Sequence, residues 1–161
     1  MRAVRYLTLA AACLTALAWV GPASALIVPQ QSIARIALDM TRHEVRAVRG
    51  DPLRVEHGTN DFGRYTIFRY GRLRVTFQGN AGATAVFTSR PRQRTAKGIH
   101  VGSTEAKLSA AYPHARCRTE ASDFRHCWTG RRFQPGFRVT DYRIGVATHL
   151  VKSVVVAFVI D

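Results

Sequence analysis

Acidic residues, lysine and cysteine are all scarce in this chain, and each shortage excludes something. Ten Asp and Glu stand against 24 Lys and Arg in 161 residues, a formal net charge of +14. That imbalance points to acidic partners. Lysine occurs only at positions 97, 107 and 152, so the excess rests on Arg, whose planar fork suits carboxylate and phosphate; a coding preference for Arg would give the same composition. Residues 26–96 carry 12 Arg against 5 acids, and residues 97–161 carry 10 Arg or Lys against 5. Charge spread in this way excludes a disordered basic tail.

Catalytic signatures are missing as well. There is no Gly-x-Ser-x-Gly, no His-Glu-x-x-His and no phosphate-binding glycine loop. The histidines at 43, 57, 100, 114, 126 and 149 fall in no catalytic motif and read as surface or structural residues. A nucleophile, a base and an orienting group are not brought together by any spacing, so the chain is expected not to be an enzyme and to need no cofactor or metal. A small secreted hydrolase is the least favoured alternative.

What is present begins with a secretory signal over residues 1–25: Arg2 and Arg5, an apolar run from Tyr6 to Val20, and a small-residue exit at Ala23-Ser24-Ala25. The run is shorter than the roughly 20 residues that span a bilayer, and Gly21-Pro22 breaks it. No later segment is apolar enough to cross as a helix. Removal of the signal leaves 22 basic against 10 acidic residues, a charge of +12. The expected locations are outside the cell or in the cell envelope. A lipid anchor on Cys13 is the alternative, but Leu9 stands four positions upstream, where such a site wants Leu at three. Export also alters the reading of Cys117 and Cys127: an even number in an oxidising compartment favours one disulfide. Zinc is the competing reading, without the other ligands at a suitable spacing.

An internal echo appears at an offset of 63. Residues 36–50 lie over residues 99–113, with Ile36/Ile99, Thr41/Thr104 and Ala47/Ala110 identical, and Leu38/Val101 and Val45/Leu108 alike in character. Thr41 reads as a helix N-cap, Glu44 completes a capping box, and Met40 against Val45 forms a hydrophobic staple. Gly50-Asp51-Pro52 stops that helix. In the second copy Thr104 caps, Lys107 replaces the acid of the box, and Tyr112-Pro113 terminates.

Short runs rich in β-branched and aromatic residues follow each helix: 53–57, 65–70, 72–78 and 83–88, then 116–120, 124–129, 137–144 and 151–160. The third alternates, with Leu73, Val75 and Phe77 on one face and Arg72, Arg74 and Thr76 on the other. The last does not alternate and is expected to be covered on both faces over part of its length. The expected organisation is a lead-in over 26–35, a first α/β repeat over 36–88, a solvated basic linker over 89–98 containing Arg90, Arg92, Arg94 and Lys97, and a second repeat over 99–161. The expected fold class is α+β: two tandem repeats, each a short helix followed by a roughly four-stranded antiparallel meander, forming a curved sheet.

The pattern Ile-x-Leu/Val-x-x-Thr-x-x-x-Val/Leu at 36–50 and 99–113, followed by a strand meander, resembles the repeat of the secreted β-lactamase inhibitory protein family and of the small outer-membrane assembly lipoproteins. The inhibitor is the more similar, being a secreted tandem with a cysteine after the helix and another in the next strand, as at Cys117 and Cys127. The resemblance implies a protein-binding sheet face. This chain departs from it: the first repeat has only the tight Tyr70-Gly71-Arg72 connection where the inhibitor presents acid and aromatics, and Leu26 stands where the lipoproteins carry the anchor cysteine. The second repeat has the longer loop 130–136, in which Phe133 between Arg131, Arg132 and Pro135 is the candidate anchor.

Three classes follow. The favoured one is a secreted, non-enzymatic binding module, a monomer that meets an acidic extracellular protein through the exposed sheet face, with Phe133, Arg131, Arg132, Arg72 and Arg74 as candidate contacts. The second is an envelope-associated binder of an anionic polymer, and the third is the hydrolase. Arg69, Tyr70, Arg72 and Arg74 have the chemistry of a nucleic-acid platform, but export argues against that partner.

Overall fold

The computed structural model describes residues 27–119, 124–132 and 134–159. Of these, 51% lie in strands and 12% in helices. Three two-residue strands open the chain: β1 (Ile27–Val28), β2 (Ser32–Ile33) and β3 (Ile36–Ala37). Helix α1 (Arg42–Arg49) precedes β4 (Arg54–Asn60), β5 (Gly63–Tyr70), β6 (Leu73–Gln78) and β7 (Ala83–Thr88); helix α2 (Glu105–Ala111) precedes β8 (Arg116–Thr119), β9 (Phe124–Gly130), β10 (Arg138–Gly145) and β11 (Val151–Phe158). The first three strands form a small sheet. The other eight form one antiparallel sheet in the order β4-β5-β6-β7-β11-β10-β9-β8.

The expected α+β fold of two helix-plus-meander repeats is therefore corrected to a mostly β architecture: one continuous eight-stranded sheet and an added three-stranded sheet. Two physical reasons account for the difference. The helices run eight and seven residues, and each fully buries one side chain, Val45 and Leu108 respectively, too little apolar area to close a unit of its own. The halves instead join edge to edge, with Val154 opposite Thr88, Val155 opposite Phe87 and Val156 opposite Val86.

The small sheet supplies the rest of the cover, and it includes residues expected to be a lead-in. Its β2–β3 turn holds Ala34 and Arg35 at φ 54° and 69°, the mirror-image turn that suits strand twist but that non-glycine residues adopt at a cost. Gln30 fastens this sheet to the large one, its backbone N–H donating to Thr140 Oγ1 at 2.7 Å and its amide to Thr129 Oγ1 at 2.5 Å. Ile27, Ile33 and Ile36 pack with Val45, Leu108, Phe68, Phe77, Tyr142 and Val156 in one buried cluster. Burial raises the Tyr142 phenol far above its ordinary range.

Local signals place both helices. Thr41 Oγ1 accepts from the Glu44 N–H, and the Glu44 carboxylate accepts from the Thr41 N–H at 2.8 Å. Gly50 ends α1 at φ 76°. Thr104 Oγ1 accepts from the Lys107 N–H, and at the far end of α2 the Lys97 ammonium donates to the Ala111 carbonyl at 2.7 Å. The segment expected as a solvated linker is drawn in: Gln93 and Thr95 are buried, Thr95 bridges Ile27, and the Ile27 N–H donates to the Arg94 carbonyl. Among the described residues no helix is long and apolar enough to cross a membrane.

Two outcomes follow. Phe77 is fully buried, edge-on to Phe68 at 4.9 Å and beneath the Arg42 guanidinium at 4.8 Å; Phe77→Ala should lower unfolding free energy in denaturant titration by about 3–5 kcal/mol. The hydrogen bonds from Thr41 hold the Glu44 carboxyl below its usual value of 4.5. A depressed folded value means stability that is present above the unfolded value and lost as pH falls through the folded one. Melting temperatures from pH 7 downward should therefore fall less steeply below about pH 4.5 in Glu44→Gln than in the parent.

Candidate binding face

The helices and the small sheet cover one face of the eight-stranded sheet and leave the other open. Residues opposite one another on neighbouring strands share a face, so the registers define rows across the open side. One row runs Arg54, Arg69, Arg74, Phe87, Val155, Asp141, Trp128, Arg116. The row beside it runs Glu56, Ile67, Thr76, Ala85, Ala157, Val139, Gly130, and Arg143, His126 and Arg118 continue the basic side. The face is thus a strip of small and branched apolar side chains with arginines along one flank.

Two acids lie on that face among the described residues, and both are engaged. Glu56 pairs with Arg69 at 2.6 Å and Arg54 at 3.2 Å. Asp141 pairs with His126 at 2.8 Å and Arg143 at 3.4 Å. His126 with Asp141 has the form of a base and its orienting group, yet the row partner beyond Arg143 is Ser153 on β11, two strands and roughly 10 Å from β9.

Arginines lie over the aromatic rings. Arg74 covers Phe87 at 3.9 Å, Arg132 covers Trp128 at 4.5 Å, and Arg131 covers Phe137 at 4.9 Å. Cations over ring faces are attracted by the ring quadrupole. Burial, then the nearby charges of Arg69 and Arg143, lower the Arg74 guanidinium from its ordinary value; it remains charged near neutrality, at an electrostatic cost that an acidic group would relieve.

A groove of about 610 Å³ lies at the β8–β9 end, lined by Trp128, His114, Arg116, Arg131, Arg132 and Gln134. The sequence-predicted residues fall in two places. Arg131 and Arg132 line this groove, and Arg131 donates to Gln134 at 3.2 Å. Arg74 is four strands away on β6, about 20 Å across the sheet, and Arg72 lies not in a strand but in the turn before β6. Arg72 and Arg74 therefore do not join Arg131 and Arg132 in one pocket. Phe133 lies outside the described residues, as do the proposed signal residues 1–25.

Cys117 and Cys127 form a disulfide at directly opposed positions of β8 and β9, Cα atoms 4.0 Å apart. Glu105 lies within 4.8 Å of both sulfurs, but a disulfide leaves no thiolate to hold a metal. The bond has a positional effect. With both sulfurs on the covered face, alternation sends Arg116, Arg118, His126 and Trp128 to the open one. Sequence reasoning missed Trp128, Arg116, Phe87 and Asp141, although the inferred disulfide with strand alternation held the signal for the first two.

No family model matches the sequence, and no curated protein matches it. Among solved structures, the chain is similar to an extracellular protein containing an SCP domain from Bacillus anthracis, at 7% identity and TM-score 0.51, covering 75% of this chain and 44% of that one. A second likeness is to a cysteine-rich secretory protein from Staphylococcus aureus, at 9% identity and TM-score 0.48, with coverage of 75% and 44%. The chain spans less than half the length of either neighbour, and the first likeness concerns the fold alone.

Replacing both cysteines by serine should cost about 2–3 kcal/mol of stability, the value of closing a loop of this length. Amide exchange should accelerate in β8 and β9 and leave β5, β6 and β7 unchanged. Equal acceleration throughout the sheet would show that the bond supports the whole fold rather than this hairpin.

Proposed function

We propose that the protein is an exported, non-enzymatic binding module that grips an acidic extracellular protein through the open face of its eight-stranded sheet. The observation that carries this reading is the row from Arg54 to Arg116, in which arginines at both ends flank Phe87, Val155 and Trp128 on a face whose two acids, among the described residues, are already paired. Interfaces of this kind combine Arg and aromatic anchors with an apolar strip, and the charge speeds encounter. Export rests on the signal-like residues 1–25; the neighbour described as extracellular is in keeping with it.

The edges favour a single copy. β4 and β8 end the sheet with Arg54 and Glu56 on one side and Arg116 and Arg118 on the other, and charge on an edge strand opposes strand pairing between molecules.

An anionic envelope polymer is the second reading, supported by cations on the covered side too: Arg42 and Arg46 on α1, and Lys97 beside α2. Charge reversal separates the two. Poly-L-glutamate and poly(glycerol phosphate) are titrated at low and high salt against Trp128 emission, with Trp128→Phe as the blank. For a face-specific protein binder, Arg69→Glu with Arg74→Glu should abolish poly-L-glutamate binding, while Arg42→Glu with Arg46→Glu should change it less than about threefold, the size of a long-range screened effect. Equal losses from both pairs, together with tighter binding of poly(glycerol phosphate), would replace the first reading by the second.

A further inference from the structure

Behind the sheet, on the side away from the open face, four arginines from three separate stretches converge on one pocket of about 370 Å³. Arg35 comes from the β2–β3 turn, Arg49 from the last turn of α1, and Arg90 and Arg92 from the segment after β7. Pro91 and Gln93 complete the wall. Among the described residues no acid lines the pocket, and Arg35, Arg49 and Arg92 have no ion-pair partner. Arg90 is oriented from behind, its guanidinium donating to the Tyr70 carbonyl at 2.5 Å and its N–H to Thr88 Oγ1 at 3.1 Å.

Two of the residues that line this pocket carry a buried polar atom without a hydrogen bond, Arg49 at Nε and Gln93 at Oε1. Gln93 is only 4% exposed, and an amide so deeply buried is ordinarily satisfied. The turn carrying Arg35 is held in a left-handed conformation without glycine, a cost the surrounding structure must support. An arginine at the C-terminal end of a helix complements the helix dipole, which accounts for the charge of Arg49 but not for its unmet Nε.

The chemistry that would satisfy all of these groups is specific. Four guanidinium forks in one pocket call for a dianion with several acceptor oxygens. The Gln93 amide calls for a hydroxyl, which can donate or accept and so meets the amide in either orientation. The stems of the arginines and Pro91 give an apolar wall beside these groups, and the volume is at the lower end of small-ligand pockets. We propose that this pocket binds the phosphate ester of a small sugar, with the phosphate among the arginines and a sugar hydroxyl on Gln93. The site is independent of the open face.

Calorimetric titration of the purified protein with glucose 6-phosphate, inorganic phosphate and glucose tests it. Glucose 6-phosphate should saturate the protein one to one, inorganic phosphate should bind about tenfold or more weakly, and glucose should not bind, since one polar contact to a buried group decides about that much. Arg35→Gln and Arg92→Gln alter exposed side chains and should each weaken the ester about tenfold with melting temperature unchanged. Gln93→Leu should erase the preference for ester over inorganic phosphate. Phosphate binding as tightly as the ester, or an affinity indifferent to Arg35→Gln and Arg92→Gln, would overturn the assignment. Retention of ester binding in the Arg69→Glu, Arg74→Glu protein distinguishes failure here from failure of the open-face reading.

Discussion

The structure depends on the antiparallel seam where Ala85–Thr88 meets Val154–Ala157. Val86, Val154 and Val156 are fully buried on the covered side of that seam, so its register is held by apolar burial: a one-residue slip would turn the valines outward. Everything to either side inherits that register. It aligns Arg74 and Phe87 with Asp141 and Trp128 in one row, although Arg74 and Trp128 are 54 positions apart in the chain. Without the seam each half would end in another unprotected edge, and its arginines would belong to separate surfaces.

Electrostatics on the two sides of the sheet are handled differently. Toward the helices, Arg42 and Arg46 lie over Phe77 and Phe68, so guanidinium groups border the apolar core and remain near solvent, as long cationic side chains do. On the open side Arg74 and Arg132 cover Phe87 and Trp128, while Glu56 pairs with Arg54 and Arg69, and Asp141 with His126 and Arg143. The first arrangement uses charge as a rim to packing. The second presents flat, weakly hydrated cations to whatever approaches, with little bare ring exposed.

Much of the local structure is legible in the sequence because it follows from nearest-neighbour chemistry. Thr41 with Glu44, Thr104, and the Gly50 stop locate the helices; the alternation from Leu73 to Phe77 locates β6 and its buried side. The fold class is not legible, because edge-to-edge joining and the weight of helix against sheet are decided by contacts distant in the chain. The small N-terminal sheet escapes notice for a related reason. Its turns use Gln30, Ala34 and Arg35 at positive φ, where sequence reasoning expects Gly or Asn. The basic stretch around Arg90 and Arg92 looks like a solvated connection until Arg35 and Arg49 are seen opposite it. Trp128 was recoverable through its neighbour Cys127, since strand alternation sends adjacent residues to opposite sides; Phe87 and Asp141 were not, because their place on the open face depends on the seam.

The position of the cystine has a consequence for assembly. It clasps the outermost hairpin, β8 with β9, and not the centre of the sheet. The closed loop lies wholly within that hairpin, so the crosslink restricts the unfolded chain only between residues 117 and 127, at the margin where Arg116 and Trp128 stand. Covalent chemistry thus fixes one margin of the open face, and apolar burial alone holds the register of its middle.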